Sequence, residues 1–161
     1  MIFDVDGVLT DGTLWYGPGG GELKAFSAHD GHGIKMLAAA GVPAALLSGR
    51  RSKAVTTRAR ELGIKRVFQG VEDKLSVFQT LLKKERLQPE DTGFMGDELV
   101  DLAVLTRCGF ACAPREAPEA VRAHAHYVAT APAGRGAARE VCELVLRARG
   151  ALEPALKAYL A

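Results

Sequence analysis

A chain of 161 residues with 48% hydrophobic content is long enough for one packed core and short for two ordinary domains. Charged residues make up 25% and the formal net charge is only +2, far from the basic asymmetry of a nucleic-acid binder. No apolar run approaches a membrane span and no secretory signal pattern is present, so a soluble cytoplasmic protein with neither nucleic-acid nor membrane partners is expected.

Taken in chain order, Ile2-Phe3 opens a strand. Only three residues precede Asp4, against about five in an ordinary strand, so this one is expected to be short or truncated. Residues 13–16 and 22–26 alternate on either side of Gly17-Pro18-Gly19-Gly20-Gly21, the pattern of a hairpin projecting from a sheet. Its Trp15 and Tyr16 pack either against a neighbour or against the hairpin's own base. Residues 33–40 read as a helix stopped by Gly41 and Pro43, 44–47 as a strand ending at Ser48-Gly49-Arg50, and 51–62 as a helix. Val67-Phe68 is a short strand, and over 74–86 Leu75, Phe78, Leu81 and Leu82 share one helical face. Residues 92–95 lead into Gly96-Asp97-Glu98, followed by a helix over 99–107, a strand over 109–112, and a last pair around Tyr127-Val128 and 136–146. This alternation predicts an α/β fold, a doubly wound parallel sheet with a projecting β-hairpin. Residues 1–150 form one domain, and 151–161 look like a tail. His124 and His126 read as surface residues. Cys108, Cys112 and Cys142, odd in number and without zinc spacing, read as reduced, partly buried thiols.

In such sheets the ligand sits at the carboxyl ends of the strands, near the switch in strand order. Asp4 and Asp6, Ser48, Lys74 and Asp97 each follow an apolar run or open a helix, so four segments are able to converge there. Singly, each has a plainer reading: Ser48 and Asp97 as helix caps, Lys74 as a surface charge, Asp4-x-Asp6 as a solvated turn. Together and in order they point to phosphate-monoester chemistry. A carboxylate attacking a phosphate dianion needs a cation to neutralise charge and an acid to protonate the leaving oxygen. Asp4 fits the nucleophile and Asp6 the general acid, later the base, of an aspartyl-phosphate route. Mg2+, an oxygen-seeking octahedral cation, is the cofactor expected, with the carboxylates of Asp4 and Asp97 and the backbone carbonyl of Asp6 as its ligands. Ser48, the Gly49 amide and Lys74 are expected to hold the phosphoryl group, and Glu98 and Asp101 to order metal-bound water or fix Lys74.

The segments Asp4-Val5-Asp6-Gly7-Val8-Leu9-Thr10-Asp11-Gly12, Leu47-Ser48-Gly49-Arg50, Lys74 and Gly96-Asp97-Glu98-Leu99-Val100-Asp101 resemble the four motifs of the haloacid dehalogenase-like (HAD) hydrolases. Glu22-Leu23-Lys24-Ala25-Phe26, Asp30-Gly31-His32-Gly33-Ile34 and Gly134-Arg135-Gly136-Ala137-Ala138-Arg139-Glu140 further resemble the 3-deoxy-D-manno-octulosonate 8-phosphate phosphatase family. The resemblance covers nearly the whole chain. It implies a phosphorylated sugar acid as substrate, with Ser27, His29, Asp30 and Gly31 in a substrate-binding stretch and Lys35, Arg50 and Arg58 as further contacts. For His29, Lys35, Arg50 and Arg58 a solvated face is the alternative. Two positions depart from the family: His29 stands where Arg is usual, and Glu98 where a second Asp is usual. The intervals between motifs leave no room for a cap domain, and the resemblance implies a homotetramer in which neighbours close the cleft. A nonulosonate 9-phosphate substrate and a catalytically idle scaffold are the alternatives at this stage.

Overall fold

The computed structural model describes residues 1–160. Its sheet has six parallel strands in the order β5-β4-β1-β6-β7-β8. These are β1 (Ile2–Phe3), β4 (Ala45–Ser48), β5 (Arg66–Gln69), β6 (Gly93–Met95), β7 (Phe110–Ala113) and β8 (Tyr127–Val128). β1 is two residues long, as expected, and lies between β4 and β6, with Ile2 facing Ala45 on one side and Phe94 on the other. The antiparallel hairpin of β2 (Trp15–Tyr16) and β3 (Glu22–Leu23) stands apart as a second sheet, and Trp15, Tyr16 and Leu23 are exposed.

Successive residues of each buried strand point to opposite faces, so the sheet needs apolar cover on both. Phe3, Leu46, Met95 and Cys112 face one core with Ile34, Leu37, Val55, Val141 and Leu146. Those partners come from α1 (Ala28–Ala39), α2 (Lys53–Glu61) and α6 (Ala137–Ala148). Ile2, Leu47, Phe94 and Ala111 face the other with Phe78, Leu82, Val104, Leu105 and Val121. These belong to α3 (Lys74–Glu85), α4 (Leu102–Leu105) and α5 (Glu119–Arg122). All three cysteines are buried and free.

Three elements differ from the sequence expectation. α1 begins five residues early because Ser27 caps it, its hydroxyl accepting the Asp30 amide at 3.3 Å. The helix expected over 99–107 is a 3-10 turn, Leu99–Asp101, followed by the single turn of α4. The expected tail contains α7 (Leu152–Lys157), whose Leu152 is buried in the core that α6 covers.

The chain runs outward from β1 through β4 to β5, then α3 carries it back across to β6 on the far side of β1. The strand order therefore reverses at β1, and the carboxyl ends of β1, β4 and β6 open on one crevice.

Candidate active site

Asp4 directly follows β1, its amide donating to the Met95 carbonyl at 2.9 Å. One carboxylate oxygen accepts the Val5 amide at 2.7 Å, and the other accepts the Lys74 ammonium at 2.8 Å. Lys74 is the first residue of α3, where Asp73 caps the helix by accepting the Ser76 amide at 3.0 Å. The same ammonium donates to Asp101 at 2.6 Å. The remaining oxygen of Asp101 accepts the amides of Asp97 and Glu98 at 3.0 and 3.1 Å, which fastens the turn after β6. Asp101 is thus engaged at both oxygens: it braces Lys74 and the turn, the second of the two roles expected for it. Asp97 lies over Gly7, which adopts φ +78°; a Cβ there would overlap the Asp97 carboxylate, so the position needs glycine on both counts.

Carboxylate oxygens of Asp4, Asp97 and Asp101 all come within 4.8 Å of one another. Burial pushes the Asp4 carboxyl up to about 6 against the pull of Lys74. Burial, reinforced by Asp4 and Asp101, raises Asp97 to about 8. Burial opposes the Lys74 charge, yet Asp4 and Asp101 together hold the ammonium above its ordinary value. One ammonium among three carboxylates leaves the cluster short of positive charge, and Asp97 Oδ1 is buried without a hydrogen-bond partner. An oxygen-only, anion-rich donor set with an orphaned carboxylate oxygen fits a hard divalent cation such as Mg2+. With Asp101 occupied, Asp4 and Asp97 are the carboxylates left to hold it.

Ser48 ends β4, and its buried hydroxyl accepts the Arg50 amide at 3.3 Å. A crevice of about 560 Å³ is lined by Asp4, Asp6, Ser48, Gly49, Arg50, Lys74, Asp97 and Glu98. Glu98 caps the 3-10 turn by accepting the Leu99 amide at 2.6 Å. A second cavity of about 570 Å³ shares Gly12, Asp97 and Glu98 with the first and continues toward Arg115 and Arg135.

Two residues beside this crevice, Lys24 and Glu22, lie in a segment that carries the family resemblance, but neither was expected in the site. Lys24, with 2% of its side chain exposed, pairs with Asp6 and also with Glu22 at 3.1 Å. Glu22 in turn accepts the Arg50 guanidinium at 2.9 and 3.2 Å, and Tyr16 accepts it at 3.3 Å. The hairpin is thereby tied to two of the crevice loops. Beyond that resemblance, the available signal is the alternation that sets Glu22 and Lys24 on the same face of the hairpin, both charged.

The stretch at 27–31 takes a different part from the one expected. Asp30 is buried, and its carboxylate accepts the amides of Gly136 and Arg139 at 3.2 and 2.8 Å, capping α6 from α1. A Cβ on Gly31 would meet the Arg58 guanidinium and Leu62. Arg58 is itself spent on the Ser27 carbonyl at 3.0 Å and on Glu61 at 3.1 Å. His29 is exposed, and Lys35 lines a separate groove between α1 and α7 with Tyr159. Of the expected sugar contacts, Arg50 alone lines the crevice; Ser27, His29, Asp30, Gly31, Lys35 and Arg58 do not.

Residues 66–141 match the family model of the haloacid dehalogenase-like hydrolases. The chain is 43% identical over 155 residues to the 3-deoxy-D-manno-octulosonate 8-phosphate phosphatase of Yersinia pestis, covering 96% of this chain and 83% of the relative. The chain belongs to this phosphatase family. It also superimposes with a TM-score of 0.98 and 50% identity on a crystal structure of a probable YrbI family phosphatase from Pseudomonas syringae, covering 99% of this chain and 91% of that one. The same phosphatase from Moraxella catarrhalis, solved in complex with magnesium ion, phosphate ion and a KDO molecule, gives a TM-score of 0.96 at 38% identity, covering 98% of this chain and 91% of that one. The α/β fold expected from the alternation of elements, a doubly wound parallel sheet with a projecting β-hairpin, is borne out.

Proposed function

We propose that this member of the family is a magnesium-dependent phosphatase that hydrolyses 3-deoxy-D-manno-octulosonate 8-phosphate to the free sugar acid and inorganic phosphate. The observation that carries the reading is the buried Asp4–Lys74–Asp101 chain beside Asp97, at the point where the strand order reverses. The relatives' phosphatase names, and the magnesium, phosphate and KDO bound by one of them, support the chemistry and the substrate.

In this reading Asp4 attacks phosphorus and carries the phosphoryl group as an aspartyl phosphate. The bond from phosphorus to the sugar's terminal oxygen breaks, and the proton on Asp6 passes to that oxygen. Asp6, now a carboxylate, takes a proton from the water that hydrolyses the intermediate. Ser48, the Gly49 amide and Lys74 hold the phosphate oxygens in line with Asp4. Mg2+, held by Asp4 and Asp97 with the Asp6 carbonyl, neutralises the repulsion between nucleophile and dianion when bound. Arg50 faces the sugar acid from the crevice wall. The exposed Trp15, Tyr16 and Leu23 of the hairpin support a homotetramer in which neighbouring copies cover the open crevice. No helix among the described residues is long and apolar enough to cross a membrane, and we place the enzyme in the cytoplasm.

Phosphate release from a panel of sugar phosphates tests the reading. Magnesium-dependent turnover of 3-deoxy-D-manno-octulosonate 8-phosphate is expected, with Asp4→Asn and chelation each abolishing it. Equal turnover by Asp4→Asn and the native protein would remove Asp4 from its role, and a fully active monomer in light scattering would remove the tetramer.

A further inference from the structure

We infer that Lys24, delivered by the hairpin, is a positioning residue that aims the acid of the reaction, an inference that rests on Asp6 being that acid. Asp6 presents two oxygens that differ in situation. Oδ1 is clamped by the Lys24 ammonium, whereas Oδ2 is buried with no hydrogen-bond partner. Anchoring one oxygen removes the rotation that would exchange the two, so Oδ2 is the oxygen left to meet the leaving group. The Lys24 side chain is 2% exposed and does not line the crevice, so it acts through Asp6 and not on the substrate.

Lys24 is in turn held in place. Its second partner, Glu22, is gripped by Arg50, whose own loop carries Ser48 and Gly49. The run Asp6–Lys24–Glu22–Arg50 alternates in charge and links the loop after β1 to the loop after β4. A fixed, charge-balanced series of this kind keeps the acid and the phosphate-holding loop in register. Removing the ammonium leaves Asp6 free to rotate in a site where small misplacements cost large factors in rate.

Leaving-group dependence separates aim from general damage. When the bond to phosphorus breaks, a sugar alkoxide needs the proton that Asp6 donates, whereas p-nitrophenolate leaves as a stabilised anion and needs none. Lys24→Met is therefore expected to lower kcat/KM, which reports the steps up to departure of the leaving group and not the later step in which Asp6 is the base, by about 10²-fold on 3-deoxy-D-manno-octulosonate 8-phosphate, the scale of general acid catalysis, and by less than about 3-fold on p-nitrophenyl phosphate. Lys24→Arg restores most of the sugar-phosphate rate. Equal losses on the two substrates, or none on either, overturn the inference. Asp6→Asn is measured alongside: if it shows the leaving-group signature and Lys24→Met does not, Lys24 falls while Asp6 stands. If Asp6→Asn lacks the signature, both assignments fall. Should Lys24→Met fail to fold, the same substrate ratio on Lys24→Gln decides in its place.

Discussion

Replacing Asp30 with alanine separates a structural aspartate from a substrate-binding one. Asp30 is 2% exposed and accepts the amides of Gly136 and Arg139, at the cap and third position of α6. A hydrogen bond to a charged acceptor contributes about 1.5–3 kcal/mol, and loss of an N-cap costs about 0.5–2 kcal/mol. Burial works the other way, since it holds the Asp30 carboxyl above its ordinary value and so disfavours the charge that makes those bonds strong. Weighing the two, Asp30→Ala is expected to destabilise the protein by about 2–4 kcal/mol, a fall of roughly 5–15 °C in Tm for a chain of this size. Asp30→Asn keeps one acceptor oxygen and loses about half of that. Urea denaturation followed by circular dichroism measures the stability, and kcat/KM measured well below the transition measures function, where a change under about 3-fold is expected for a residue remote from the crevice. Native stability together with a raised KM would refute the capping account and return Asp30 to the substrate.

Three further outcomes follow from the same geometry. Asp97 rises from 3.8 in the unfolded chain to about 8 in the fold, so between those values the folded, metal-free protein binds the extra proton. Its stability is then greatest below about pH 4 for this group and falls as pH climbs to about 8, by up to about 1.4 kcal/mol per unit; magnesium displaces that proton, so the Tm increase on adding magnesium grows with pH, and a pH-independent increase would contradict the assignment. Gly7→Ala places a methyl group on the Asp97 carboxylate at positive φ, and calorimetry is expected to show magnesium affinity reduced by about 10-fold or more, with unchanged affinity as the refuting result. Leu152→Ala empties a buried site beneath α7 and is expected to cost about 2 kcal/mol in urea unfolding, whereas no cost would mean that α7 contributes nothing to the core.

Asp4, Ser48, Lys74 and Asp97 are legible in the sequence because each is polar where an apolar run ends or, for Lys74, where a helix opens, and the doubly wound topology makes strand ends meet. Lys24 has no such mark. Alternating charge on a short hairpin reads as a solvated face, and only the way the hairpin folds back onto the loop after β1 turns Lys24 inward. Asp30 is hidden for another reason: the amides it caps lie more than a hundred residues further along the chain. The Ser27 cap was within reach, since Ser27 sits three residues before Asp30 at the head of an apolar-periodic run. The helix after Gly150 was also foreshadowed by Leu152 and Leu156, four residues apart on one face. The glycine itself, at φ +65°, ends α6 and masks the helix that follows.

The place of β1 between β4 and β6 also bears on how the protein is made. Phe3 is synthesised 92 residues before its second strand partner, Met95. At ordinary elongation rates that interval is on the order of 5 to 20 s. Throughout it, the strand that leads into Asp4 has at least one edge unpaired, and Asp97 has not been made. The ribosome thus carries a chain that already holds Asp4 but lacks Asp97, and the crevice forms only when the middle of the sheet closes.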